Sequence, residues 1–156
     1  MTNTVHVEKT HIQQTLDHLR AAGRRNAECV VLWLAEEAAD RAKVVRQVYR
    51  PEQWAREDIF RIAPAEMRQI IRLISDRGWM IAAQAHSHPR EAFHSPADDK
   101  WAIVRHRGAL SLVLPHFASR STVENFFEHT ATFCLDSGNR WNEVDTKGIN
   151  EWLHVN

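Results

Sequence analysis

Four residues whose side chains can bind a metal or activate water lie close together near the middle of the chain. His86 and His88 form a His-x-His pair, and Ser95 and Asp98 complete a stretch of thirteen consecutive residues. In an extended segment, residues i and i+2 point to the same face, so both imidazoles can reach one ion. A downstream carboxylate gives three ligands and leaves a fourth tetrahedral position for water. The spacing predicts a hydrolytic metal site.

The sequence Ser95-Pro96-Ala97-Asp98 also has a purely structural interpretation. Ser95 is a preferred N-cap, Pro96 fits the first helical position, and Asp98 is an N3 carboxylate near the positive end of the helix dipole. Taken alone, this interpretation is the stronger one. The two interpretations are compatible, because a capped helix start fixes the direction of the Asp98 carboxylate. Paired imidazoles at a strand end, followed by Pro89 and a short polar loop, favour the metal site.

Hydrolysis also needs a group that takes a proton from water, and Glu28 is the best candidate. It stands at the mouth of an otherwise apolar run. The competing interpretation is a solvated residue at the start of a strand, and the spacing does not decide between the two. Glu36 and Glu37, at the other end of the same run, are weaker alternatives.

The elements around these residues alternate between helices and strands, which predicts an α/β fold with a mixed sheet flanked by helices. The run after Glu28 is continuously apolar, so we expect its strand to be covered on both faces. Pro64 and Gly78 are placed to begin and end a helix, and Gly23 is placed to cap another. The full prediction is helix 8–22, strands 28–34 and 43–49, helix 64–77, strand 79–85, helix 95–106, strand 109–114, hairpin 130–135 and 140–144, and helix 149–154.

Composition narrows the class of protein. Twenty basic and twenty acidic residues cancel, which argues against nucleic acid as the main partner. No apolar segment reaches the length of a membrane span, so we expect a soluble, cytoplasmic protein. Cys29 and Cys134 lie apart in apolar runs and are expected to be buried, reduced thiols. The length of 156 residues suits one domain.

These motifs resemble the JAB/MPN family, whose metalloprotease members carry the JAMM motif: an upstream Glu, His-x-His-Pro, a short spacer and Ser-x-x-Asp. His86-Ser87-His88-Pro89 and Ser95-Pro96-Ala97-Asp98 match the two later blocks. Residues 27–32, which include Glu28, resemble the strand that carries the family's Glu. The resemblance extends in element order from about Ile12 to Leu114.

The resemblance implies a fold, a cofactor and roles for these residues. It implies a single MPN-like domain over residues 1–156, with zinc bound by His86, His88 and Asp98. Glu28 would act as general base and then as general acid, and Ser95 would donate a hydrogen bond to the oxyanion. Active relatives cleave the bond between the C-terminus of ubiquitin, or a ubiquitin-like modifier, and a lysine amine.

Two departures from the family pattern concern the loop between the motif blocks. The spacer at residues 90–94 is about one residue shorter than usual, and Asp99 or His94 could join the metal site. The chain also lacks long insertions and in this resembles small prokaryotic members, which implies a modifier's activating and conjugating enzymes as further partners. The alternatives are a non-catalytic MPN scaffold and a zinc hydrolase of small amides.

Overall fold

A curled, mixed β-sheet organises the chain. The computed structural model describes residues 4–96, 98 and 102–156. Eight of the strands found there form one sheet in the order β10-β1-β3-β2-β6-β7-β8-β9, and β4 pairs with β5 in a separate small hairpin. The strands are β1 Val5–Val7, β2 Val30–Glu37, β3 Lys43–Tyr49, β4 Trp54–Ala55, β5 Phe60–Arg61, β6 Met80–Ser87, β7 Leu110–Leu114, β8 Ala131–Leu135, β9 Trp141–Val144 and β10 Leu153–Val155. The predicted α/β class and mixed sheet are confirmed.

The central strand β2 is covered on both faces, as its continuous apolarity predicts. Helix α1 (Lys9–Gly23) covers one face, where Trp33 is fully buried and its Nε1 donates a 2.9 Å hydrogen bond to Thr15 Oγ1. Helix α2 (Pro64–Arg77) covers the other face with Ile70. Two apolar layers therefore enclose β2, which pairs with β3 on one side and with β6 on the other.

The two main helices begin and end close to the predicted residues. Pro64 occupies the first turn of α2, and Gly78 ends that helix in the left-handed conformation at φ 65°. In α1 the predicted cap at Gly23 is wrong, because the helix continues through Gly23 and its cap is Arg24 in an ordinary helical conformation. Gly23 instead allows a close approach, since a Cβ there would lie 2.4 Å from the Cβ of Phe117. Within the described residues, no helix has the length and apolarity that a membrane crossing requires.

One predicted helix is wrong, and another begins as predicted, with helical residues 96 and 98, but does not reach its predicted end. The chain end forms a 3-10 helix, Thr146–Glu151, followed by β10, because Leu153–Val155 pairs in parallel with β1 and Leu153 is buried. The helix predicted over 95–106 does not extend through residues 102–106; residues 97 and 99–101 lie outside the described part of the chain. That segment bonds to β6 instead: Gln84 Oε1 accepts from the Ile103 N–H at 2.8 Å. The hairpin of β8 and β9 is confirmed.

Both cysteines are buried and unbonded to each other. Burial raises the pKa of the Cys29 thiol and of the Cys134 thiol, despite nearby cationic groups that oppose the shift. Neither sulfur is therefore held as a thiolate, which agrees with the predicted structural role.

We predict that Gly23→Ala destabilises the protein by about 1–3 kcal/mol, the usual effect of inserting a methyl group into a packed contact. The added Cβ would displace Phe117 and the turn that contains it. Chemical denaturation measures the change. Gly148→Ala is the matched control, because a Cβ at Gly148 meets nothing within 4 Å, and we expect it to alter the free energy of unfolding by less than about 0.5 kcal/mol. Equal effects for both variants would contradict the prediction.

Candidate metal centre

Strand β6 and the residue after it present the two histidines to the same face. His86 pairs with Val30 of β2, and His88 follows the strand end at Ser87. The His88 N–H donates to the Leu114 carbonyl, and the His88 carbonyl accepts from the Phe117 N–H, both at 2.8 Å. His88 is therefore held by its backbone as firmly as a residue inside the sheet.

The turn that holds His88 has an unusual backbone. His116, Phe117 and Ala118 have φ values of 54°, 52° and 61°. Left-handed conformations cost non-glycine residues about 1–2 kcal/mol each, and such strain is concentrated at functional sites. Here it turns the Phe117 N–H toward the His88 carbonyl.

The three predicted metal ligands converge on one point. His86 Nε2 lies 3.3 Å from His88 Nε2 and 3.2 Å from Asp98 Oδ1, and His88 Nε2 lies 3.1 Å from Asp98 Oδ2. All three residues are buried. Among the described residues, these three form the group of His, Cys, Asp and Glu side chains able to share an ion.

The donor set fits a metal ion. Tetrahedral ligand atoms at 2.0–2.1 Å from an ion are roughly 3.3–3.4 Å apart. The two histidine nitrogens are 3.3 Å apart, and each lies 3.1–3.2 Å from a different oxygen of Asp98. Two imidazole nitrogens and a carboxylate facing each other in a buried space also leave lone pairs that cannot all be satisfied by their neighbours. The His86 Nδ1 atom has no hydrogen-bond partner among the described residues, and the Phe60 ring packs against His86 at 5.7 Å. The imidazole is thus oriented by packing.

Ser95 and Asp98 form the reciprocal pair expected at a helix start. The Asp98 N–H donates to Ser95 Oγ at 3.0 Å, and the Ser95 N–H donates to Asp98 Oδ2 at 2.8 Å. Burial alone would raise the pKa of Asp98, but hydrogen bonds with His86, His88 and the Ser95 amide hold it well below its usual range. The structural and the metal-binding interpretation of this segment are therefore compatible, because the helix cap directs the Asp98 carboxylate toward the two imidazoles.

Glu28 lies beside this group. Continuing the Val30–His86 register by two residues on each strand places Glu28 opposite His88, and both line the same surface groove of about 430 Å³. Glu28 is only 4% exposed. Burial, together with the negative charges of Asp98 and Asp58, raises the pKa of Glu28 to about 8. A buried carboxylate with this pKa can exchange a proton near neutral pH.

The alternative candidates lie elsewhere. Glu36 and Glu37 are exposed at the far end of β2 and form ion pairs with Arg46 and Arg41. The His94 ring packs against the rings of Phe133 and Trp141, with centroids 5.1 and 5.3 Å away, outside the convergent group. Asp99 lies outside the described residues. The structure therefore brings together Glu28, Ser95 and the three ligand candidates.

Sequence reasoning missed several residues that shape the site. Phe60 packs on His86, and the half-exposed Phe93 packs edge-on against His88 at 4.7 Å. Ser87 fixes Cys29 twice: Ser87 Oγ accepts from the Cys29 N–H, and the Ser87 N–H donates to the Cys29 carbonyl, each at 3.1 Å. Ser87 was detectable only as the middle residue of the His-x-His pair, and Phe60 gave no local signal.

We predict that the protein binds one transition-metal ion per chain and that His88→Ala abolishes this binding, because only two ligands remain. Elemental analysis measures the stoichiometry, and thermal unfolding with and without the ion measures the linked stabilisation. At about 100 times its Kd, an ion that binds only the folded state adds about 2.7 kcal/mol. His129→Ala, at an exposed histidine, is the control and should retain the ion. Full occupancy in His88→Ala would contradict the proposed ligand set.

We predict that Glu28 makes the metal-free protein less stable as pH rises. A carboxyl with a pKa of about 8 in the folded state and 4.5 when unperturbed takes up a proton on folding between these two pH values. Its stabilising contribution is complete below about pH 4.5 and is lost as pH rises through about 8. As pH rises from about 4.5 to about 8, the melting temperature of wild type should therefore fall relative to that of Glu28→Gln. A bound cation favours the ionised form, so added metal should weaken the trend; a pH-independent difference would contradict the prediction.

Comparisons with known proteins bear on the family and on the fold. No protein-family model matches the sequence. The chain is 32% identical to a "Probable metalloprotease y4jG" of Sinorhizobium fredii, over 97% of this chain and 94% of that protein. It also resembles the solution structure of protein DSY2949 from Desulfitobacterium hafniense, with a TM-score of 0.69 and 18% identity over 98% of this chain and 93% of that one, which supports the fold alone. The His86, His88 and Asp98 cluster and the near full-length similarity together point to a metal-dependent hydrolase. The chain belongs to the same family as this probable metalloprotease of Sinorhizobium fredii.

Proposed function

We propose that residues 1–156 form a single JAB/MPN-like metallopeptidase domain that uses zinc to hydrolyse the bond after the C-terminus of a ubiquitin-like modifier. The observation that carries this proposal is the convergence of His86, His88 and Asp98 within reach of one ion, with buried Glu28 in the same groove. The match to the JAMM motif and the similarity to a probable metalloprotease support it.

In this proposal, His86, His88 and Asp98 hold the zinc ion. Two imidazole nitrogens and one carboxylate oxygen are a ligand set that zinc accepts, and three protein ligands are typical of its catalytic sites. When bound, zinc lowers the pKa of a coordinated water toward about 7 and polarises a carbonyl group.

Glu28 moves the proton. Its carboxylate takes a proton from the attacking water and delivers it to the leaving amine nitrogen as the carbon–nitrogen bond breaks. Burial and the negative charges of Asp98 and Asp58 raise the pKa of Glu28 to about 8, and an adjacent cation would lower that pKa toward neutrality. A pKa near the working pH suits a group that both accepts and donates.

Ser95 stabilises the charge that develops on the scissile carbonyl oxygen. Its Oγ accepts from the Asp98 N–H, and that bond does not use the hydroxyl hydrogen. The hydroxyl can therefore donate to the oxyanion, a contribution of about 3 kcal/mol at other acyl-transfer sites.

The groove beside the metal centre suits an extended peptide. It is open to solvent, and its rim includes the half-exposed ring of Phe93 and the exposed side chains of Glu57, Asp58 and Glu91. A flexible chain terminus can lie along such a surface, whereas a folded domain would contact the rim. The choice of a ubiquitin-like protein as substrate, and of its activating and conjugating enzymes as further partners, rests on the resemblance to the JAMM motif, and the groove is compatible with it.

We predict that Glu28→Gln retains zinc but lowers the rate of cleavage by about 10²–10⁴-fold, the usual contribution of a general acid–base group. The substrate is a ubiquitin-like protein fused through its C-terminus to a reporter by a peptide bond or a lysine isopeptide bond. Mass spectrometry identifies the cut, and elemental analysis confirms zinc in both proteins. Glu36→Gln, at the exposed end of the same strand, is the matched control and should cleave at the wild-type rate.

The other outcomes separate the alternatives. A wild-type rate in Glu28→Gln would contradict the proton-transfer role, and turnover that persists after chelation would contradict metal-dependent hydrolysis. Cleavage of small acyl amides but not of the fusions would identify a small-amide hydrolase. Binding of the modifier with no cleavage of any amide would identify a scaffold.

A further inference from the structure

The segment that carries Glu28 extends beyond its neighbour in the sheet. Pairing of β2 with β3 stops at Leu32 and Tyr49, so residues 28–30 have no strand beside them on that side. Pro51 follows soon after and, lacking an N–H, cannot continue the ladder. Backbone groups near the catalytic candidate would therefore lack partners unless another part of the molecule supplied them.

The side chain of Gln53 takes the place of the missing strand. Its Oε1 accepts from the Val30 N–H at 2.8 Å, and its Nε2 donates to the carbonyls of Val30 and Pro51 at 3.0 and 2.9 Å. A primary amide carries the same acceptor and donor groups as a peptide unit, so Gln53 pairs with Val30 as a strand residue would.

The N–H groups of the two residues before Val30 are also hydrogen-bonded to partners outside the ladder. The Glu28 N–H donates to the Arg56 carbonyl at 2.7 Å, and the Cys29 N–H donates to Ser87 Oγ on the opposite side. Three successive N–H groups, of Glu28, Cys29 and Val30, are thus held outside the regular ladder. Gln53 and Arg56 belong to one segment that lies along the open side of the Glu28 backbone.

We infer that Gln53 is a positioning residue for Glu28, an inference that rests on the proposed catalytic role of Glu28. Val30 is two positions after Glu28 in the chain, so a shift of the Val30 backbone moves the carboxylate relative to the three ligand candidates. The hydrogen bonds that Gln53 makes are to Val30 and Pro51 and involve none of the three ligand candidates. Loss of this side-chain amide should therefore impair proton transfer while sparing the metal.

Gln53→Met tests this role, because methionine has a similar length and cannot replace the hydrogen bonds. We expect kcat to fall about 10–100-fold, as small misplacements of catalytic groups do, with KM within about twofold and zinc occupancy unchanged. We also expect hydrogen exchange of the Val30 amide to accelerate at least about tenfold, since its acceptor is removed. This second readout does not depend on activity.

Two further variants complete the experiment. Gln14→Met, at an exposed glutamine of α1, is the matched control and should match wild type in every measurement. Gln53→Glu at neutral pH can accept from the Val30 N–H but cannot donate to the Val30 carbonyl, so its kcat should lie between those of wild type and Gln53→Met. It also provides a test if Gln53→Met does not fold.

The results that would overturn the inference are specific. Unchanged hydrogen exchange of the Val30 amide in Gln53→Met would refute the hydrogen bond between Gln53 and Val30. Faster exchange with kcat within twofold of wild type would refute the effect of Gln53 on Glu28. Loss of zinc, or a rise in KM alone, would assign Gln53 to the metal site or to substrate binding instead. A wild-type protein that cleaves no substrate would refute the proposed function and with it the positioning role, while the exchange measurement would still decide whether Gln53 holds Val30.

Discussion

The structure depends on the burial of three electron-rich groups that face one another. The atoms that converge from His86, His88 and Asp98 are separated by only 3.1–3.3 Å, in a place from which water is largely excluded. Buried polar atoms without partners are costly, and a carboxylate hydrogen-bonded to two imidazoles satisfies this arrangement only in part. A cation at their centre would satisfy all three together. The surrounding strands and turns hold these three side chains close together.

Hydrogen bonds to the backbone hold the segments that carry these side chains. His88 is held from both sides by β7 and by the left-handed turn at 116–118, and the Cys29 backbone is bonded to Ser87, between the two histidines. Asp98 is aimed by its reciprocal bonds with Ser95. A metal centre assembled on fixed backbone has little freedom to reorganise, which is the property that a catalytic site requires.

Packing far from the candidate metal site also helps to position its residues. The absence of a side chain at Gly23 lets Phe117 approach α1, and the Phe117 N–H in turn bonds to the His88 carbonyl. The covered faces of β2 fix its register with β6, and that register sets Glu28 opposite His88. The contact of Gly23 with Phe117 therefore helps to position His88. The pairing of β2 with β6 helps to position Glu28.

The sequence by itself indicated a candidate metal site and the elements next to it. Residue types and short spacings identified His86, His88 and Asp98, the Ser95 cap, the buried strand after Glu28 and the helix from Pro64 to Gly78, because these features depend on neighbours within a few residues. Only the tertiary structure placed Glu28 beside the ligand candidates and the glutamates at the other end of β2 away from them. It also showed β10 where a terminal helix was expected, and it showed the contacts of Gln53 and Gly23. These features arise from contacts between residues distant in sequence, such as β10 with β1 or Gly23 with Phe117, and no local pattern encodes them.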